Sequence, residues 1–142
     1  MYNHAMTSIR VRSQHREEII DITAQVQKAV ATSGHRSGLV ALYCPHTTAG
    51  ISVNENADPD VKTDMLKKLE TMIPKRESYY QHGEGNSDSH VKTALVGNSV
   101  TVLIEGGRLV LGQWQGVYFC EFDGPRQREM IVKLIDLNPR SD

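Results

Sequence analysis

Residues 38–43, GLVALY, form a near-continuous apolar run of strand length. A run of this kind predicts a central strand that is buried on both faces of a sheet. The next segment, CPHTTAG over 44–50, is short, polar and rich in threonine and glycine, so the strand delivers His46 just beyond its end. Local structure gives little reason for an imidazole there, which makes His46 the first candidate for a functional side chain.

Two strands and a helix are predicted before this run. Residues 8–12 alternate polar and apolar side chains, and residues 18–22 do so less regularly, as strands with one buried face do. We expect these two strands to open the fold as an antiparallel pair. Thr23 can cap a helix over about 23–33, whose apolar residues recur at three- and four-residue steps until Gly34 ends it.

A second strand and helix follow the run. Residues 50–54 alternate again, and Asp58-Pro59 places a capping residue before a proline at the first helical position. The helix is predicted over about 59–73, with its charged residues on a solvated face. The apolar stripe that we expect to pack in the core consists of Val61, Met65, Leu66, Leu69, Met72 and Ile73.

Strands dominate the last third of the chain. Gly106-Gly107 fits a tight hairpin that needs positive φ, and it joins the first two of these strands. Asp123-Gly124-Pro125 is a turn-forming sequence that we expect to join the last two as a pair. The predicted strands cover residues 100–104, 108–111, 113–122 and 128–137.

The longest polar segment, residues 74–90, carries two more histidines, His82 and His90, and a short helix is expected over 87–95. Neutral imidazole binds zinc well, and three protein ligands with one open position form the usual catalytic zinc site. Both HExxH and paired CxxC motifs are missing, so only folding can bring these residues together with His46. Structural histidines and a metal-free proton-transfer pair are the alternatives.

Composition narrows the class of protein. A chain of 142 residues, 39% hydrophobic, fits one domain over residues 1–142 with a sizeable core. The net charge of -1 supplies no broad positive field for nucleic acid. Residues 1–6 lack the pattern of an export signal, and no window approaches the ~18 apolar residues of a membrane span. With Cys44 and Cys120 expected to be reduced and buried, we predict a cytoplasmic protein that binds neither nucleic acid nor membrane.

Several blocks of the sequence closely resemble the YjbQ-like family. They are residues 46–58, 86–90, 107–115 and 121–126, in family order and with family spacing. The resemblance covers nearly the whole chain and implies one YjbQ-like domain of the α+β class, with a mixed, largely antiparallel sheet curled into a half-barrel and two main helices. It also implies a homotrimer and a secondary thiamine-phosphate synthase activity, in a family otherwise described as of unknown function.

The resemblance further implies a shared site. His46, His82 and His90 fall on the family's histidine positions and are expected to bind a divalent metal ion, with zinc as the expected ion. Glu84 is a candidate general base on metal-bound water, with His82 and His90 as catalytic partners; a solvated loop carboxylate is the alternative. The carboxylates that could orient the imidazole rings are Glu84, Asp88 and Glu121.

Three other residues are candidates for substrate binding. Asn54 and Asp58 lie between a strand and a helix start, where free N–H groups and a positive dipole suit a phosphate, although helix capping is the simpler role. Arg126 closes a family block and can bind a phosphate with two parallel hydrogen bonds, or form a salt bridge across a subunit interface.

Three functions follow from these residues. The first is thiamine-phosphate synthesis, which joins hydroxymethylpyrimidine pyrophosphate to thiazole phosphate with loss of pyrophosphate. The second is a metal-dependent hydrolase or lyase acting on a small phosphorylated or carbonyl substrate, a chemistry that histidine-rich ligation suits. The third is a non-catalytic trimer that binds a small molecule, so the sequence leaves open whether the protein is an enzyme.

Overall fold

The computed structural model describes residues 4–137, with residues 4 and 5 described by their backbone alone. Residues 1–3, part of the segment predicted to lack an export signal, lie outside the described range. The predicted α+β class and the antiparallel half-barrel are confirmed, with a third helix beside the two main ones. The elements in chain order are β1 (His4–Arg12), β2 (Glu18–Asp21), α1 (Thr23–Ser33), β3 (Ser37–Tyr43), β4 (Ala49–Glu55), α2 (Pro59–Met72), α3 (Ser87–Val96), β5 (Ser99–Glu105), β6 (Arg108–Leu109), β7 (Gln115–Glu121) and β8 (Gln127–Asp136).

The strands form a five-stranded sheet in the order β1-β8-β3-β5-β6 and a three-stranded sheet in the order β2-β7-β4. Each pairing in the described part of the chain is antiparallel. The main core lies between the inner faces of the two sheets and α1, which contributes Val26 and Val30. The predicted helix over 23–33 and its end at Gly34, with φ 75°, are confirmed.

The central position of β3 is confirmed, but its burial on both faces is wrong. Val40 and Leu42 point into the core and are fully buried, whereas Leu39 and Ala41 are half-buried and Tyr43 is 47% exposed. The continuous burial is found in β7 instead. One face of β7 lines the main core and α2 covers the other, whereas no helix within residues 4–137 covers the outer face of β3.

Helix α2 begins as predicted, because the Asp58 carboxylate accepts a hydrogen bond from the Asp60 N–H at 2.9 Å. Its apolar stripe is not core, however. Met65, Leu66 and Leu69 pack against the outer side of the three-stranded sheet and are only half-buried, and α2 contains no fully buried residue. The helix is therefore a surface element that covers a single sheet face.

Two predicted strand pairs are wrong. Strands β1 and β2 do not pair with each other, because β1 pairs with β8 in one sheet and β2 pairs with β7 in the other. Strands β7 and β8 therefore also belong to different sheets. The turn at residues 123–125 carries the chain from one sheet to the other instead of closing a hairpin. The hairpin at Gly106-Gly107 is confirmed, with φ values of 60° and 76°. Sequence neighbours usually pair, and here the half-barrel separates them.

The capping role predicted for Thr23 is also wrong. Ile22 occupies the N-cap position of α1, and its side chain cannot cap. The Thr23 hydroxyl accepts a hydrogen bond from the Val117 N–H at 2.8 Å and donates to Asp21, which ties α1 to β7. No helix within residues 4–137 is long and apolar enough to cross a membrane.

Candidate functional site

A polar cleft of about 330 Å³ opens where three loops meet. The loops follow β3, precede α3 and connect β7 to β8, so each lies at an end of a strand or helix that anchors it. Two of the three predicted histidines and one predicted arginine line this cleft. The lining residues are Pro45, His46, Thr47, Thr48, Glu84, Asn86, His90, Asp123, Arg126 and Arg128.

His46 is held by the backbone of β8. Its Nε2 lies 3.0 Å from the amide nitrogen of Glu129 and 3.1 Å from the carbonyl oxygen of the same residue. Because the Glu129 N–H donates to Nε2, the neutral ring carries its proton on Nδ1. Burial lowers the pKa of His46, and the positive charge of Arg128 lowers this pKa further. The ring is therefore neutral at neutral pH, as a metal ligand or a general base must be.

His82 and His90 lie against each other beside the cleft. Their rings meet edge to face, with centroids 5.2 Å apart and planes at 88°. His90 is half-buried in the first turn of α3, whereas His82 is 46% exposed and its Nε2 lies 3.6 Å from Oε2 of Glu84. The fold therefore brings the three predicted histidines to one region, with His46 and His90 inside the cleft and His82 at its border.

The histidines do not form an assembled metal site. Within residues 4–137, no three histidine, cysteine, aspartate or glutamate side chains are arranged as a ligand group. The donors suit a metal in chemical type, because imidazole nitrogen binds zinc and His46 is neutral, but Nε2 of His46 already accepts a hydrogen bond from the Glu129 N–H. A three-histidine site would also need His82, which is half-exposed at the border of the cleft.

Two arginines give the cleft its positive groups. Arg126 is half-exposed at the rim, where its Nη2 lies 3.1 Å from Oδ2 of Asp123. Arg128 is almost completely buried and donates from Nε and Nη2 to Glu121 and from Nη2 to Thr48. Its Nη1 makes no hydrogen bond to a residue within the described range 4–137. Sequence reasoning named Arg126 for phosphate binding and left Arg128 without a role.

Glu121 is wholly buried and binds Arg128, not a histidine. Burial alone would raise the pKa of Glu121, but hydrogen bonds from Arg128 and Ser13 hold the pKa below its usual value. The prediction that Glu121 orients an imidazole ring is therefore wrong. Its charge instead fixes the guanidinium of Arg128 at the floor of the cleft.

Asp88 likewise belongs to an ionic cluster beneath α3 and not to a histidine. It binds Arg16 through two hydrogen bonds of 2.9 and 3.0 Å and Lys92 at 2.9 Å, and Lys92 also binds Glu17. Asp88 and Lys92 are both 0% exposed. Burial raises the pKa of Asp88, but the two cations outweigh this effect and lower the pKa overall. Asp88 and Lys92 lie one helical turn apart, and the fold buries the ion pair that they form.

Asn54 and Asp58 lie away from the cleft. Strand β4 begins at Ala49, which pairs with Glu121 near the cleft, and reaches Asn54 only opposite Gly116. The Asn54 side chain accepts from the Glu55 N–H and donates to Met65, and Asp58 caps α2. The fold therefore separates these two predicted phosphate ligands from Arg126.

The cysteines occupy the interior as predicted. Cys44 and Cys120 are free thiols, and both are buried. Burial raises the pKa of Cys120 to about 12 and also raises the pKa of Cys44. Since a thiolate is the reactive form, neither side chain is suited to nucleophilic chemistry at neutral pH.

Comparison with known proteins identifies relatives along nearly the whole described chain. The family model described as UPF0047 protein YjbQ-like matches residues 7–137. The UPF0047 protein YugU of Bacillus subtilis is 48% identical over 130 residues, which is 92% of this chain and 98% of that protein. A UPF0047 protein of Methanocaldococcus jannaschii is 49% identical over 126 residues, which is 89% of this chain and 91% of that protein.

Solved structures show the same fold. A YjbQ/UPF0047 family protein from Clostridium acetobutylicum has a TM-score of 0.88 and 49% identity, covering 90% of this chain and 98% of that one. A YbjQ-like protein of unknown function from Sulfolobus solfataricus has a TM-score of 0.90 at 28% identity, covering 95% of this chain and 99% of that one. The names of these four relatives state no substrate and no reaction.

Proposed function

This chain belongs to the YjbQ-like UPF0047 family, and from that premise we propose that its cleft binds a small phosphorylated metabolite together with a divalent metal ion. The reaction we propose is the one that the sequence resemblance implies, thiamine-phosphate synthesis. It joins hydroxymethylpyrimidine pyrophosphate to thiazole phosphate and releases pyrophosphate. The family names carry no reaction, so the proposal depends on the chemistry of the cleft.

The observation that carries the proposal is the meeting of two arginines and two histidines in one cleft. Arg126 and Arg128 line it together with His46 and His90. A guanidinium binds phosphate oxygens through paired, charge-assisted hydrogen bonds. Fixed cations of this kind also stabilise the charge that develops on a departing pyrophosphate.

The residues that would hold the metal are His46 and His90, joined by His82 after rotation of its side chain. Imidazole nitrogen is a good ligand for zinc, which favours zinc over magnesium at these donors. When bound, the ion supplies positive charge next to the leaving group or lowers the pKa of a water molecule. Glu84 borders the cleft with a largely exposed carboxylate, which supports a role as the group that accepts a proton there.

Product formation tests the proposed reaction. Purified protein, with and without added zinc, is incubated with both precursors, and thiamine phosphate and pyrophosphate are measured by chromatography. Arg126→Ala is expected to lower kcat/KM about 10- to 100-fold, the cost of a charged hydrogen bond, and Arg126→Lys to restore part of it. Arg108→Ala, which removes an exposed arginine outside the cleft, is the matched control. Failure of the wild-type protein to form product under all these conditions would refute the reaction.

A metal-dependent hydrolase or lyase is the second candidate. The observation that favours it is Glu84, a carboxylate beside both His82 and the cleft, where a general base on water would stand. Zinc-dependent release of phosphate from simple phosphate esters, without coupling of the two thiamine precursors, would support this candidate. Tight binding of a phosphate ester without turnover of any substrate would support the non-catalytic trimer.

We also propose that the protein is a homotrimer in which subunits cover the outer face of the five-stranded sheet. Leu103, Leu39 and Ile135 lie in register on β5, β3 and β8, and Leu103 is 57% exposed. Such an apolar row on a sheet face is typical of a subunit interface. Light scattering at micromolar concentration is expected to give three times the protomer mass. Leu103→Asp should reduce that mass, whereas Met72→Asp on α2 should not; a monomeric wild-type protein would contradict the trimer.

We also propose that the protein is located in the cytoplasm. It is supported by the two buried free thiols, because disulfides are rare in reducing compartments. Fractionation of cells that express the native protein tests it, and recovery outside the cytoplasmic fraction would refute it.

A further inference from the structure

A second cavity adjoins the cleft, and the two share a wall. This cavity measures about 400 Å³ and lies under the loop between α2 and α3. Glu84 lines both cavities, and His82 of the second contacts His90 of the first. The cavities therefore lie next to each other, with Glu84 and the paired imidazole rings at their boundary. The second is lined by Lys75, Arg76, Glu77, Tyr80, His82, Glu84 and Gly85.

The second cavity has positive groups of its own. Lys75 and Arg76 are exposed, and neither forms an ion pair with any residue in the described range 4–137. The same cavity is also lined by Glu77 and Glu84, and Oε2 of Glu84 lies 3.6 Å from Nε2 of His82. Because neither carboxylate forms an ion pair with Lys75 or Arg76, these two cations remain available to bind an anion from solution.

The loop that carries these cations is tied to the body of the protein. The Tyr80 hydroxyl donates to the carbonyl of Pro74 at 2.9 Å, which closes the loop on itself. The Asn86 side chain donates to Asp123 at 2.8 Å, and Asp123 also binds Arg126. The basic pair therefore does not project on an untethered loop; it lines a cavity next to the cleft.

We propose that the cleft and the second cavity form one groove that binds two anionic groups at once, one at Arg126–Arg128 and the other at Lys75–Arg76. The imidazole rings of His82 and His90 lie between these two anion sites. They would contact the part of the ligand that lies between its two anionic groups. This inference rests on the proposed function for the first anion. The two anions belong to two phosphorylated substrates bound side by side or to the two ends of one bisphosphate, and binding experiments distinguish these sources.

Calorimetric titration with pentyl phosphate and 1,5-pentanediol bisphosphate tests the groove. The wild-type protein is expected to bind two molecules of pentyl phosphate per protomer. If one bisphosphate molecule spans both cavities, the protein is expected to bind it at least about tenfold more tightly than pentyl phosphate. The reason is that the second of two linked groups binds at a high effective concentration. If two molecules of pentyl phosphate bind but the bisphosphate binds no more tightly, the two anions belong to two separate substrates. Binding of two pentyl phosphates supports the groove, whether or not the bisphosphate binds more tightly.

A double variant locates the second anion. Lys75→Ala/Arg76→Ala is expected to bind one pentyl phosphate with unchanged affinity and to lose any preference for the bisphosphate. The matched control is Lys67→Ala/Lys68→Ala, which removes the same charge from exposed positions on α2 that line neither cavity. A single pentyl phosphate on the wild-type protein with no preference for the bisphosphate would overturn the proposal. The proposal would also be overturned if the control variant Lys67→Ala/Lys68→Ala lost the second pentyl phosphate to the same extent.

The groove and the proposed reaction can fail independently of each other. If the precursors are not coupled but the double variant abolishes the second binding event, the groove stands and the thiamine chemistry fails. If product forms but the wild-type protein binds one anion only, the reaction stands and the groove fails. Arg126→Ala provides the internal reference, since it should weaken the first binding event and leave the second intact.

Discussion

Asp88→Ala is expected to lower the free energy of unfolding by about 3–5 kcal/mol, the usual cost of removing one partner from a buried ion pair. Asp88 and Lys92 are both 0% exposed. Without the carboxylate, Lys92 keeps only Glu17, and Arg16 loses both of its hydrogen bonds to Asp88. Urea unfolding followed by far-ultraviolet circular dichroism measures the change.

A surface pair on α2 provides the control. Lys67 and Glu70 lie 3.9 Å apart with side chains 76% and 62% exposed, so Glu70→Ala removes a helical carboxylate that water already solvates. Its expected cost is below about 1 kcal/mol. If Asp88→Ala lowers the free energy of unfolding no more than Glu70→Ala does, the ionic cluster beneath α3 contributes little to stability and the prediction is wrong.

His90→Ala is expected to lower kcat of the proposed reaction about 100-fold or more, whether His90 acts on a proton or on a metal. His90 lines the cleft, and its ring contacts His82. The substitution removes a half-buried side chain from the first turn of α3, so the free energy of unfolding should change far less than in Asp88→Ala. Steady-state kinetics with both precursors and metal analysis of chelator-free protein measure the two effects.

His15→Ala is the control for this experiment, because His15 is exposed and does not line the cleft. Activity and metal content should match the wild-type protein. His46→Ala should resemble His90→Ala in both measurements, since the two rings share the cleft. Full activity of His90→Ala would exclude His90 from the chemistry, and unchanged metal content in His46→Ala, His82→Ala and His90→Ala would exclude the metal site.

The two predictions are connected by α3. The Ser89 hydroxyl donates to the carbonyl of Phe122, and Arg16 binds Asp88 and also donates to Ser89. These contacts anchor the two residues that precede His90 on the helix. Asp88→Ala is therefore expected to lower activity as well as stability, through displacement of the imidazole.

Helix positions were predictable from the sequence because their signals are local. The apolar spacing and Gly34 bound α1, and the Asp58-Pro59 pair starts α2. Strand positions were also predictable, from alternation and apolar runs. Strand partners were not, because pairing depends on residues far apart in the chain, as in the contact of β1 with β8.

Burial was the least predictable property of the fold. The apolar run of β3 has one uncovered face, whereas β7, with a more polar sequence, is covered by the core on one side and α2 on the other. Lys92 shows the same limit, since no local pattern distinguishes a buried lysine from a solvated one. Burial is decided by what packs on each face, and that depends on the whole chain.

Taken by itself, the sequence determined the helices, the strands, the family resemblance and the candidate histidines, because each depends on residue type and short-range spacing. The tertiary structure decided which candidates meet. It places His46, His90 and Arg126 in one cleft, adds Arg128, and leaves Asn54 at the far end of β4. The physical reason is that a site is assembled by long-range strand pairing and loop packing, which bring together residues whose separation along the chain carries no information about their distance in space.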